Sequence, residues 1–143
     1  MKNREAMKKI NCCWCRGTEL YGIWAKRHGM SYNQIMVLYA LNEQEPTTQK
    51  QIAENWLIPK QTVNTIVKEL EKKDYVQFSD ENSKRNREIC FTEVGKKFAD
   101  QMLKELYEIE ERTLESLGKD RIQLFVELNE LFTENFAREV NCE

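Results

Sequence analysis

Three of the five cysteines crowd into one short stretch, Cys12-Cys13-Trp14-Cys15, and they are the side chains best equipped for chemistry. Thiolates bind soft metals and oxidise reversibly; on a helix, Cys12 and Cys15 stand at i and i+3 and lie on neighbouring faces. Cys12, Cys13 and Cys15 are therefore candidate redox residues. The plainer reading is that they fill a helical core, where free cysteine is common. His28 is the only histidine, so a metal site lacks a companion ligand and a nucleophile lacks a base. No glycine loop of the phosphate-cradling kind occurs either. The sequence therefore predicts no catalytic residue, no metal, no cofactor and no enzymatic activity.

A second group is suited to recognition instead. Lys60, Gln61, Asn64, Thr65 and Lys68 fall on one side of a helical period, and Val63, Ile66, Val67 and Leu70 fall on the other. Glutamine and asparagine amides pair with adenine in two hydrogen bonds, and lysine reaches guanine or phosphate. Thr62 and Thr65 suit a phosphate or a thymine methyl. Thr48, Gln49 and Lys50 open a helix, where free N–H groups and the helix dipole attract phosphate. Lys84, Arg85 and Arg87 lie in a polar stretch between two short alternating runs, with Arg85 the candidate for a narrow minor groove. The competing readings are a solvated helix face and a flexible charged hairpin.

These residues need elements to hold them. Met7, Ile10, Trp14, Tyr21 and Trp24 set a helical stripe from about Glu5 to His28, with Gly17 completing it and Gly29 as the cap. Ser31 with Gln34 and Thr48 with Gln51 read as capping boxes opening two further helices, the second burying Ile52, Ala53 and Trp56. Pro59 is tolerated in the first turn of the next helix, which ends near Lys73-Asp74. Tyr75 to Phe78 and Ile89 to Phe91 alternate as a hairpin. Thr92 then caps a long helix carrying Val94, Phe98, Met102 and Leu106, and Gly118 separates it from a final helix over about 120–140. That last helix is apolar on several sides, so it needs cover from outside itself. Short helix, turn, amphipathic helix and basic hairpin make a winged helix-turn-helix, in a fold that is otherwise mainly α.

Charge is unevenly spread. The chain is −2 overall: residues 1–46 carry +3, residues 47–91 carry +1 and residues 92–143 carry −6. A local basic patch binds phosphate even on an acidic chain. No apolar run is long enough for a membrane span, and Met1 to Lys9 lacks a signal-like apolar core, so a cytoplasmic protein is expected.

Several stretches resemble the MarR family of bacterial transcriptional regulators. They are Ser31-Tyr32-Asn33-Gln34, Thr48-Gln49-Lys50-Gln51-Ile52-Ala53, Pro59-Lys60-Gln61-Thr62-Val63, Leu70 to Val76, and Phe91-Thr92-Glu93-Val94-Gly95. The family's wing carries a repeated acidic-and-arginine pattern; Asp80 and Arg85 match its ends, whereas Asn82 and Ser83 depart from it. The resemblance implies one domain over 1–143, with a winged helix-turn-helix at 31–95 and dimerisation helices at 1–30 and 96–143. It implies a homodimer on a pseudo-palindromic double-stranded DNA operator, acting as a repressor relieved by a small-molecule effector or by oxidation. Because the termini meet in the family's dimer, it also implies that Cys142 of the partner subunit approaches Cys12, Cys13 and Cys15 and joins them as a candidate redox set. Tyr21, Trp24, Tyr32, Met36 and Tyr39 are candidate lining for an effector pocket, although core packing is the simpler account of them. The alternatives are a winged-helix protein-interaction module and a thiol-based redox or metal sensor.

Overall fold

The computed structural model describes residues 2–79 and 87–141, in two compact units, residues 1–100 and 101–143. In the first unit, α1 (Asn3–Arg27) ends where Gly29 takes φ +71°. There the Met30 N–H reaches back to the Ala25 carbonyl at 3.0 Å and the Gly29 N–H to Lys26 at 3.1 Å, which satisfies carbonyls the helix leaves open. The next helix, α2 (Tyr32–Glu43), buries Ile35, Met36, Val37, Leu38, Ala40 and Leu41 and so forms the centre of this unit. Its capping box is present as expected: the Gln34 N–H donates to Ser31 Oγ, and the Ser31 N–H to Gln34 Oε1.

The second capping box also forms, with Thr48 at the start of α3 (Gln49–Trp56). Ile52 and Ala53 are buried, while Trp56 is half-buried with its ring edge-on to Tyr39 at 5.3 Å. Helix α4 (Lys60–Lys72) follows, and Pro59 is its N-cap rather than a residue of its first turn. The expected division of α4 holds: Val63, Ile66, Val67 and Leu70 are buried.

The hairpin pairs β2 (Val76–Phe78) with β3 (Glu88–Phe91), with Val76 opposite Phe91 and Phe78 opposite Ile89. Ile89 and Phe91 are buried and Phe78 is half-buried. A third strand was not foreseen. Thr47–Thr48 form β1, antiparallel to β3 through Thr47 opposite Ile89 and Thr48 opposite Glu88, which gives the sheet order β1-β3-β2. Thr48 thus ends a strand and caps a helix at once. The Glu45 carboxylate, just before β1, accepts the Phe91 N–H at 2.6 Å.

The sheet leads into α5 (Glu93–Glu115), which begins in the first unit. Thr92 fixes this junction. Its N–H donates to the Tyr75 carbonyl at 3.0 Å, its hydroxyl donates to Asp74 O at 2.5 Å, and the same hydroxyl accepts the Gly95 N–H at 2.9 Å. Nearby, the Tyr75 and Phe98 rings stack at 4.4 Å, and Lys96 bridges Asn42 at 2.6 Å and Asp100 at 2.9 Å.

The second unit holds the rest of α5 and α6 (Lys119–Asn141), with Gly118 at φ +82° between them. Leu103 and Leu106 are buried. By contrast, α6 buries no residue, and Leu124, Phe125, Leu128, Leu131, Phe136 and Val140 are each more than half exposed.

Candidate nucleic-acid interface

The candidate interface is built on α3 and α4. Burial of the Val63-Ile66-Val67-Leu70 stripe fixes how α4 is rotated, and this turns Lys60, Gln61, Thr65 and Lys68 outward, all exposed. Asn64 lies on the same arc but is half-buried, as is Thr62, which borders the apolar stripe. None of the outward residues from Lys60 to Lys68 is acidic. Glu69, the first acid, takes a hydrogen bond from Gln34 Nε2 at 3.4 Å, away from that arc.

Two polar side chains meet across the helix pair. Asn64 Nδ2 donates to Gln49 Oε1 at 3.1 Å, in a part-buried contact that joins the middle of α4 to the first residue of α3. Asn64 is thereby engaged with the protein. Gln49 is half-buried, whereas Gln61 is exposed and presents its amide to solvent. Thr65 is also tied locally, its hydroxyl donating to the Gln61 carbonyl at 3.0 Å.

At the start of α3, Thr48 Oγ1 accepts the Gln51 N–H at 3.2 Å, so it is occupied in capping. Lys50 is exposed and 3.9 Å from Glu54, a loose contact between well-solvated groups that leaves the ammonium available to phosphate. On the wing, Arg87 is exposed with its guanidinium carbon 5.8 Å from the centre of the Phe78 ring, within cation–π range. Lys84 and Arg85 lie outside the described residues, so of the three wing cations only Arg87 has a described place.

The other candidate groups separate. Trp24 and Met36 are buried; Tyr21, Tyr32 and Tyr39 are half-buried. Trp24 stacks on His28 at 4.0 Å, and His28 Nδ1 lies 2.9 Å from the Trp24 carbonyl oxygen. The buried Trp24 Nε1 has no hydrogen-bond partner among the described residues. Cys12, Cys13 and Cys15 are all exposed on α1. They do not fill the core of this chain, contrary to the plainer expectation, because the core side of α1 is taken by aromatic and aliphatic residues. Cys142 lies outside the described residues. Cys90, on β3, has its thiol pushed up from the ordinary range by burial and by the carboxylates of Glu45 and Glu88. Among the described residues no group of three or more His, Cys, Asp or Glu side chains is placed to hold a metal ion. None of the helices is long and apolar enough to cross a membrane, again among the described residues.

Sequence reasoning missed two parts of this site. The strand β1 seats the start of α3 against the wing, and its only sequence signal is the pair Thr47-Thr48 ahead of the capping box. The Gln49–Asn64 contact joins residues 15 apart, and nothing in their spacing announces it.

Comparison with known proteins gives consistent findings. Residues 28–85 match the MarR family. The regulator SarZ of Staphylococcus epidermidis is 34% identical over 77 residues, 53% of this chain and 52% of that protein. SarZ of Staphylococcus haemolyticus is 32% identical over 76 residues, 52% of each. This chain therefore spans about half the length of the curated relatives it matches. Among solved structures, NMB1585, a MarR family regulator from Neisseria meningitidis, superposes with TM-score 0.79 at 26% identity over 100% of both chains. A Staphylococcus aureus MarR in complex with salicylate and kanamycin superposes with TM-score 0.72 at 17% identity, over 95% of this chain and 93% of that one, and shows the shared fold.

Proposed function

We propose that the chain, whose residues 28–85 match the MarR family, is a DNA-binding transcriptional regulator rather than an enzyme, working as a homodimer on a pseudo-palindromic operator. The observation that carries this reading is the outward arc of α4, which presents Lys60, Gln61, Thr65 and Lys68 without an acid among them. A helix with such a face fits the major groove, where amides and lysines discriminate base edges. Lys50, at the start of α3, and Arg87, on the wing, supply flanking phosphate contacts, with Lys84 and Arg85 extending the wing's positive charge. Gln49 reads a base or phosphate with its amide held by Asn64. A protein-interaction module would instead call for an apolar or acidic face here.

Dimerisation supports the same reading. The apolar residues of α6 lie exposed in the single chain, as do Trp14, Leu20 and Ile23 of α1, and burying such a surface against a second copy is strongly favourable. Two modules also double a reading head whose own net charge is small. The chain then acts as a repressor relieved by an effector. An unpartnered buried Trp24 Nε1 costs about 1–3 kcal/mol, which an acceptor on a bound small molecule recovers, and Tyr21, Tyr32, Met36 and Tyr39 supply apolar lining.

The test is fluorescence anisotropy of the DNA upstream of its own gene against a scrambled duplex, at moderate and at high salt. The expected result is submicromolar binding to the upstream DNA that weakens steeply with salt and exceeds scrambled binding by about 10³-fold or more. Equal affinity for both duplexes would refute sequence-specific regulation at that site.

A further inference from the structure

Cys12 and Cys15 stand on the side of α1 where charged residues belong. At about 100° per residue, the buried and half-buried residues Met7, Ile10, Tyr21, Trp24 and Ala25 gather on one side of the helix. Cys12 and Cys15 fall on the opposite side, among Glu5, Lys8, Lys9, Arg16 and Glu19, and all of these are exposed. Cys13 points about a quarter-turn away, back towards the apolar side. Packing within the single chain therefore gives no reason for thiols at positions 12 and 15.

Their spacing has chemical content. Residues at i and i+3 hold their Cβ atoms about 5–6 Å apart. Thiolate–metal bonds run about 2.3 Å, so a near-linear two-sulfur centre spans about 4.6 Å, within reach of both side chains. Among the described residues no third ligand of the His, Cys, Asp or Glu type completes a larger site. Two thiolates by themselves suit a soft ion content with two sulfurs, for which thiolates select Cu(I).

We propose that Cys12 and Cys15 form a two-thiolate binding site for Cu(I). Each thiol releases its proton to solvent, two Cu–S bonds form, and no electron is transferred, so a +1 ion and two thiolates give a complex of charge −1. The surrounding face suits that charge: Lys8, Lys9 and Arg16 against Glu5 and Glu19 leave it at +1 before binding. Lys9 pairs with Glu5 at 3.3 Å and Arg16 with Glu19, which leaves Lys8, one turn before Cys12, as the cation in excess.

The site is tested on the full chain, reduced and free of oxygen, by competition for Cu(I) against a colorimetric Cu(I) chelator. The wild type is expected to withdraw one Cu(I) per chain. Cys12→Ser and Cys15→Ser should each weaken binding by more than the about 100-fold that losing an outer-shell partner costs. Cys13→Ser, Cys90→Ser and Cys142→Ser should each retain it. Lys8→Glu should weaken Cu(I) and leave Hg(II), whose bis-thiolate is neutral, unchanged. Retention of Cu(I) by the Cys12→Ser/Cys15→Ser double variant, its loss in any of the other three serine variants, or failure of the wild type to compete would overturn the assignment. Far-ultraviolet circular dichroism of each variant, expected to match the wild type because the positions are exposed, keeps folding separate from binding. None of these readouts involves DNA, so the site stands or falls independently of the proposed regulator function.

Discussion

A single methyl group at Gly95 should cost more stability than almost any other one-carbon change in the protein. A Cβ there would lie 1.7 Å from the Tyr75 carbonyl oxygen, 2.5 Å from its carbon and 2.7 Å from Tyr75 Cα. Non-bonded heavy atoms rest at about 3.5 Å or more, so backbone would have to move by roughly 1–2 Å. The Tyr75 carbonyl is not free to do so. It accepts the Thr92 N–H at 3.0 Å, and the Tyr75 ring is stacked on Phe98. Overpacking costs about 1–3 kcal/mol, and stranding the Thr92–Tyr75 hydrogen bond adds about 1–3 kcal/mol. Gly95→Ala should therefore destabilise by roughly 2–6 kcal/mol, a large part of the about 5–15 kcal/mol available to a domain. Urea titration followed by circular dichroism, at one fixed protein concentration, reads this as a midpoint lowered by about 1–3 M. Gly22→Ala is the control. Its Cβ would meet nothing closer than Tyr32 Cβ at 4.0 Å in the interior of α1, so it should stabilise by about 0.5–1 kcal/mol. An unchanged midpoint for Gly95→Ala would show that the junction between sheet and α5 is looser than described and refute the argument.

Other substitutions probe the rest of the molecule. Leu57 sits at φ 51° as the C-cap of α3 and is 89% exposed, so Leu57→Gly should raise the thermal midpoint by removing about 1 kcal/mol of left-handed strain; a lower midpoint would mean that the exposed leucine packs against something. Lys68→Ala should weaken operator binding and reduce the slope of log affinity against log salt by about one unit, and an unchanged slope would remove Lys68 from the phosphate contacts. Phe125→Glu and Leu128→Glu on the exposed face of α6 should shift sedimentation towards the monomer and weaken operator binding together; a dimer that persists would place the interface elsewhere. Cys90 should alkylate more slowly than the thiols of α1 at mildly alkaline pH, because its raised pKa lowers the thiolate fraction, and mass spectrometry of the labelled peptides reads the order.

The helical frame was legible because its signals are local. Ser31 with Gln34 and Thr48 with Gln51 carry the capping boxes within four residues, and the Val63-Ile66-Val67-Leu70 stripe fixes the outward face of α4 by periodicity alone. The strand β1 was illegible because two residues become a strand only when β3, some 40 positions later, pairs with them. The glutamine-to-asparagine contact was illegible for the same reason: Asn64 reads as an adenine-binding residue by type, and only the approach of α3 to α4 hands its amide to Gln49. For the cysteines, residue type suggested core packing, whereas the rotation of α1 places Cys12 and Cys15 on its charged face.

The sequence by itself determined which segments are helical, where α2 and α3 begin, which face of α4 points outward and which helix lacks cover, since capping and amphipathic periodicity act over a few residues. The cysteine cluster was visible there too, as a set of reactive side chains without an address. Tertiary structure alone decided that address, the third strand, the close approach that demands glycine at position 95, and which polar groups of the reading face are already engaged. Each of these depends on contact between chain segments far apart in sequence, and burial of the helices' apolar faces is what brings those segments together.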